Sequence, residues 1–443
     1  MGLSTDLYEL TMAQAFLEAG IADRTATFDL SIRSLPHTRG YLVTAGLEQA
    51  LAYLRDFRCW PEALDYLERS GHFKPEFIDF LGSLRFTGSV DAVPEGTVYF
   101  PPGPLLRITA PIIEAQIIET YLLTTITYQT MIASKAARVV DAADGRAVID
   151  FSPRRDHGPQ AGLLAARAAY VGGCIGTSNV LANERFGIPI YGTMAHSFVM
   201  FHRDEEEAFR KFAASYPGDP TLLIDTFDTI EGARIAARVA ADLPEGRKLA
   251  AVRIDSGDLL TLSGAVREVL DAGGCHDTQV LASGDLDEYK IEGLLREGAA
   301  LDGFGVGTQL GTSGDSPSLS STYKLVACDD ADGRETPVIK LSAAKISLPG
   351  RKQIWRDYDA DGQPAGDTVA LADEQRDGTP LLEPCMRDGA LVASMPELGE
   401  IRERARAQRV GLPDEIRRLS EPAQYPVANS QKLDDLIAQL RHR

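Results

Sequence analysis

Cysteine, histidine and clustered positive charge are scarce in this sequence, and each scarcity closes a class of function. The five cysteines (Cys59, Cys174, Cys275, Cys328 and Cys385) are odd in number and never paired as CxxC. That argues against a disulfide framework or a zinc site and fits a reducing cytoplasm. No run approaches the ~18 apolar residues of a membrane span. The opening MGLSTDLYELTMAQAFLEAG has no basic region, and Asp6 and Glu9 interrupt its apolar residues, unlike a secretory leader. No basic cluster stands out, and 45 basic against 64 acidic residues give a net charge of −19. A field of that sign repels nucleic acid and anionic membranes. An anionic small substrate would need a local pocket of Arg, Lys and backbone N–H groups. Internal repeats, a GxGxxG in register, a P-loop Lys and a GxSxG nucleophile elbow are all missing.

What is present is enough chain, 443 residues, for two or three domains. Residues 1–130 mix helical patterns (LYELTMAQAFLEAG, EALDYLERS) with short strands (TATFDLSI), the texture of an α+β domain. From about 160 to 310 strands and helices alternate, from YVGGCIGT and IPIYGT through TLLIDTF, KLAAVRIDSGD and TQVLASGD to LDGFGVGT. That rhythm predicts βαβ units and a parallel sheet, curled into a barrel over residues 131–345. Polar residues end every strand (Thr177, Thr193, Asp225, Asp255, Ser283, Thr308), where barrel enzymes place their chemistry. Residues 346–443 read as hairpins with DG turns and polar helices, partly returning to the N-terminal domain.

The sharpest local signals are RIDSGD (253–258) and ASGDLDEYKI (282–291), each a strand running through Ser-Gly-Asp into a helix. Ser256, Gly257, Ser283 and Gly284 there suit either a phosphate or an ordinary helix cap. Gly305, Gly307 and Thr308 in GFGVGTQLGTSGDS sit where barrels build phosphate sites from their last loops. Lys135, Arg138, Arg154 and Arg155 are cations near the barrel start. Arg253 differs, because strand alternation puts it on the face of Asp255. His196 in IYGTMAHSFVM is either a packed histidine or a group for acid–base or nucleophilic work. His202 lies six residues on, too far for a helical zinc pair.

TDLYELTMAQAF, GYLVTAGLEQAL, ETYLLTTITYQTMIASKAAR, GTSN, GTMAHSF, RIDSGD, FGVGTQL and KLSAAKISLPGRKQIWR, in that order, resemble the nicotinate phosphoribosyltransferase family. The resemblance implies an α/β fold: an irregular barrel of the quinolinate phosphoribosyltransferase kind, plus an α+β domain from both chain ends. It implies a cytoplasmic homodimer with shared active sites. The implied reaction joins nicotinate to 5-phosphoribosyl 1-diphosphate, coupled to ATP hydrolysis with Mg2+ present, in the salvage of NAD. By the same resemblance His196 is the histidine that ATP phosphorylates, and Tyr8 is the aromatic lent to the other subunit's pyridine pocket. Phe151 takes the opposite ring face, with Arg154 or Arg155 near the carboxylate and phosphate. Arg253 and Asp255 hold the ribose and pyridine side, and Lys135 and Arg138 face the diphosphate. Ser283, Gly284, Gly305, Gly307 and Thr308 bind the 5′-phosphate. DFSPRR departs from the family by its Ser-Pro, where a Gly and a variable residue are expected.

Substrate choice turns on GTSN. Related nicotinamide enzymes carry Asp after Gly-Thr, and here Thr177 is followed by Ser178. A carboxylate would repel nicotinate's own, whereas a hydroxyl donates to it. The rival readings are a nicotinamide or quinolinate phosphoribosyltransferase and, from another class, a sugar-phosphate barrel aldolase or isomerase. The last predicts a Schiff-base Lys or paired carboxylates at strand ends, and those ends contain no Lys.

Overall fold

The alternation between residues 160 and 310 does fold into a parallel sheet. The computed structural model of the protein describes residues 3–342 and 345–442, so Ala343 and Ala344 of KLSAAKISLPGRKQIWR lie outside the described residues. Six strands stand in the order Gly176–Thr177, Ala147–Asp150, Gly303–Val306, Gln279–Ala282, Ala251–Ile254 and Thr221–Leu223, all parallel. They form a half-barrel within a unit spanning Ile132–Pro317. Registered pairing (Asp150 opposite Val306, Ala282 opposite Ile254) brings the carboxyl ends of the central strands to one rim. Their residues are mostly apolar and mostly buried. The strand GFGV is buried throughout.

After Thr221–Leu223 and Gln279–Ala282 the chain enters its next helix through a capping side chain. The Asp228 side chain accepts the Glu231 N–H at 2.8 Å, and Asp287 does the same for Lys290. Two expected strands are shorter than read. In YVGGCIGT, Tyr170 and Val171 finish the helix Pro159–Val171, and only Gly176–Thr177 is extended. A Cβ on Gly172 would stand 2.4 Å from the Ala133 carbonyl oxygen, a close approach that only glycine permits. IPIYGT contributes a single bridge, Ile190 to Thr177.

The other unit combines the residues up to Met131 with those from Ser318 onward. Its main sheet runs Glu335–Pro337, Ser321–Asp329, Thr25–Ile32, Pro104–Pro111, Ser89–Ala92, Glu383–Arg387 and Ala390–Leu391, all antiparallel. The expected boundary at residue 345 is therefore too late, because Ser321–Asp329 lies along Thr25–Ile32. The C-terminal segment also pairs within this sheet, Glu383 standing opposite Ala92. The hairpin of Lys352–Tyr358 and Pro364–Leu371 turns through DADG, Gly362 taking φ 77°. Among the described residues no helix is long and apolar enough to cross a membrane.

Candidate active site

At the rim of the parallel sheet the buried strand Ala251–Ile254 delivers one cation, Arg253. Its guanidinium donates to Asp255 Oδ1 at 2.7 Å, to Ser283 Oγ at 2.9 Å and to the Met194 carbonyl at 3.2 Å. Ser283 Oγ also donates to Asp255 Oδ1. Alternation along the strand thus made the predicted pair, and the next strand added its hydroxyl. Burial lowers the Arg253 pKa, with Asp255 and Asp225 opposing that and Arg154 adding to it.

Facing this pair is His196, first residue of the short helix His196–Met200, with 39% of its side chain exposed. Nδ1 lies 3.1 Å from Thr226 Oγ1, and Nε2 lies 3.9 Å from Asp255 Oδ2 and 4.0 Å from Asp225 Oδ1. Asp225 is held from the other side: its Oδ2 accepts the Asp255 N–H at 3.0 Å and the Ser256 hydroxyl at 2.6 Å. The imidazole is therefore oriented through one nitrogen and flanked by two carboxylates at the other. Asp225 was visible in the sequence only as a polar strand end, and Thr226 carried no signal.

Beside Arg253 the Phe151 ring, 6.0 Å from the guanidinium carbon, lines a slot of about 50 Å³ with Ile149, Tyr191, Thr193 and Gly305. Gly305 is buried, and a Cβ there would stand 2.4 Å from the Phe151 ring, so the missing side chain makes room for the ring. Tyr191 is a further residue the sequence did not single out. Thr177 is fully buried and donates to Asp150 Oδ2 at 2.7 Å, which turns its hydroxyl inward. Ser178 follows it with a half-buried side chain, its N–H on the Asp150 carbonyl.

The Ser-Gly ends behave as turns. Gly284 has φ +92°, and a Cβ there would stand 1.9 Å from the Asp255 carbonyl oxygen. Gly257 has φ +87°, while Gly307 and Thr308, both half-buried, lead into the single turn Thr308–Gly311. Arg154 and Arg155 are exposed on the turn after Phe151.

Lys135 and Arg138 were expected to face the diphosphate. Both are buried inside the unit, Lys135 Nζ 2.6 Å from Glu288 and 3.0 Å from Asp315, and Arg138 Nε 3.1 Å from Glu288. Their charges are paired with carboxylates of the same unit.

Tyr8 belongs to the other unit. It lies in the first turn of the helix Leu7–Glu18, 46% exposed, and burial together with Glu119 and Glu9 raises its phenol pKa. That unit also holds a cavity of about 420 Å³ whose walls carry Arg33, Lys324, Lys340 and Lys352 against the single carboxylate of Asp29. Such an excess of cations suits a multiply charged anion, and nothing in the spacing of these residues announced it.

No group of three or more His, Cys, Asp or Glu suited to one metal occurs among the described residues. Two carboxylates, Asp225 and Asp255, do share the rim, and Asp225 Oδ1 is buried without a hydrogen-bond donor. That donor set fits Mg2+ carried on a substrate's phosphates better than a resident ion.

Comparison with known proteins agrees along the whole chain. Residues 147–363 match the nicotinate phosphoribosyltransferase (NAPRTase) family, and residues 3–127 and 375–437 match its N-terminal and C-terminal domains. A nicotinate phosphoribosyltransferase of Mycobacterium tuberculosis is 45% identical over 99% of this chain and 94% of its own. One from Bacillus subtilis is 39% identical over 97% and 93%. The crystal structure of human nicotinic acid phosphoribosyltransferase is similar with a TM-score of 0.87 at 29% identity, covering 98% of this chain and 99% of that one. A nicotinate-nucleotide pyrophosphorylase from Pyrococcus furiosus reaches a TM-score of 0.75 at 27% identity, covering 93% and 95%. The chain belongs to the nicotinate phosphoribosyltransferase family.

Proposed function

We propose that this protein joins nicotinate to 5-phosphoribosyl 1-diphosphate and couples that synthesis to ATP through a phosphohistidine at His196. The nicotinate ring nitrogen attacks the anomeric carbon of the ribose, and the bond from that carbon to the diphosphate oxygen breaks. Nicotinate mononucleotide and diphosphate are released. The transition state is oxocarbenium-like, so the protein's task is to position two anions and balance charge. Arg253, fixed by Asp255 and Ser283, directs the pyridine and ribose, and the Phe151 ring supplies a flat face. Arg154 and Arg155 offer charge to the carboxylate and phosphate. Mg2+ bound to the diphosphate would neutralise the leaving group, and Asp225 and Asp255 are the carboxylates suited to hold it.

In the coupled step an imidazole nitrogen of His196 attacks the γ-phosphorus of ATP, and ADP leaves. Water later cleaves the phosphohistidine to free histidine and phosphate. The observation carrying this reading is the placement of a half-exposed, oriented His196 against Asp225 and Asp255. We take the working form to be a cytoplasmic homodimer in which Tyr8 of one subunit completes the other's pyridine site.

Diphosphate release from 5-phosphoribosyl 1-diphosphate, with nicotinate, nicotinamide or quinolinate and with or without ATP, tests the substrate assignment. Nicotinate should be preferred and ATP should stimulate; equal turnover of nicotinamide would overturn it. Incubation with γ-labelled ATP should leave an acid-labile label on the wild type. Label on His196→Ala refutes the phosphohistidine assignment.

A further inference from the structure

The turn that carries Arg154 and Arg155 is closed at its base by two side chains the reaction does not use. Ser152 is fully buried, and its N–H donates to Asp150 Oδ1 at 2.9 Å. Its hydroxyl donates to Asp156 Oδ2 at 3.0 Å, and its carbonyl accepts the N–H groups of Arg155 (2.6 Å) and Asp156 (3.2 Å). Asp156 Oδ1 is buried and accepts no hydrogen bond. Two neighbouring helices press glycines against this carboxyl: a Cβ on Gly311 would stand 1.9 Å from Oδ1, and one on Gly162 would stand 3.0 Å from Oδ2. The other charges acting on it are Asp150, from the adjoining strand, and His157, on its own turn.

A carboxylate kept in such a place destabilises the fold. Burial first, and the Asp150 charge second, push the Asp156 pKa up to about 6. Arg154 and Arg155 stand exposed on the same turn with no ion-pair partner among the described residues, and the Arg154 charge reaches Arg253. An unfavourable half-buried charge beneath two exposed arginines is the pattern of a residue kept for position rather than for stability.

We propose that Asp156 is a positioning residue that, through Ser152, holds the Arg154–Arg155 turn in place for the anionic substrate. The inference rests on the substrate reading given above. Ionised, Asp156 accepts a charge-assisted bond from Ser152; neutral, it accepts a weaker one. Lowering the pH through about 6 therefore loosens the turn.

The test is steady-state kinetics and thermal unfolding of wild type, Asp156→Asn, Ser152→Ala and Asp156→Asn on an Arg154→Ala/Arg155→Ala background. Asp156→Asn keeps an acceptor without the charge. It should raise KM for nicotinate or 5-phosphoribosyl 1-diphosphate at pH 7.5 by roughly 5-fold, with kcat within about 2-fold. It should remove the rise in KM below pH 6 and leave Tm at pH 7.5 unchanged or higher. The KM effect should vanish on the double-arginine background. Unchanged KM for both substrates overturns the proposal, as does a KM loss that tracks a fall in Tm. Calorimetric binding of inorganic diphosphate and of nicotinate separates the two readings. If wild type turns over neither nicotinate nor its analogues, the substrate reading fails, while weaker binding of either anion by Asp156→Asn still supports the positioning role. Unaltered binding of both overturns it.

Discussion

Lys135 and Ser178 show what single residues can and cannot say. Lys135 lies on the helix Glu119–Ala142, and its partner Glu288 arrives more than a hundred residues later on another helix. No local spacing predicts that meeting. Removing one member of a buried charge group leaves the other uncompensated. Lys135→Met should therefore cost about 3 kcal/mol of unfolding free energy in chemical denaturation, with KM for both substrates unchanged in the folded fraction. Ser178→Asp should do the opposite. It should leave stability within about 0.5 kcal/mol and shift relative kcat/KM toward nicotinamide, because a carboxylate there repels nicotinate. Unchanged relative kcat/KM would sink the assignment.

Among the elements, legibility followed periodicity. The strand TATFDLSI and the long helices of the parallel unit stand where their two- and 3.6-residue patterns put them. Arg253 and Asp255 were legible for the same reason, since alternation is local geometry. The two-residue strand Gly176–Thr177 was not, because so short an element has no period and is fixed by its neighbours. Thr226 and Tyr191 were illegible too, as loop residues brought to the site by tertiary packing alone. The turn between strand and helix at Gly284 offers a check on how closely this rim is built. Gly284→Ala combines a positive φ with a Cβ overlapping the Asp255 carbonyl. It should lower stability by about 1–3 kcal/mol and lower kcat as well, through the displaced Asp255. Loss of stability with full kcat would separate the turn from the site.

For the whole molecule, the acidic balance meets several carboxyls whose folded pKa values are raised. Burial lifts Glu9 to about 7, and burial with the charge of Asp225 lifts Glu205 to about 7. An acid with a raised folded pKa binds its proton more tightly in the native state. Its stabilising contribution is present below the unfolded value near 4.5 and is lost as pH rises through about 7. Thermal unfolding should accordingly show a Tm that falls between pH 5 and pH 8. Glu9→Gln and Glu205→Gln should each flatten that slope, and a slope identical to wild type in both variants would refute the linkage.

The pairing of Thr25–Ile32 with Ser321–Asp329 also constrains how the protein is made. On the ribosome the early strand keeps one edge without a neighbour until Asp329 has been polymerised. Meanwhile all of Ile132–Pro317 emerges and has its own parallel sheet to assemble. An open edge is a template for wrong pairing, and the delay is a matter of translation time. Slow codons or a stall between Pro317 and Ser321 would expose that edge longer, and chaperone demand should rise with the pause.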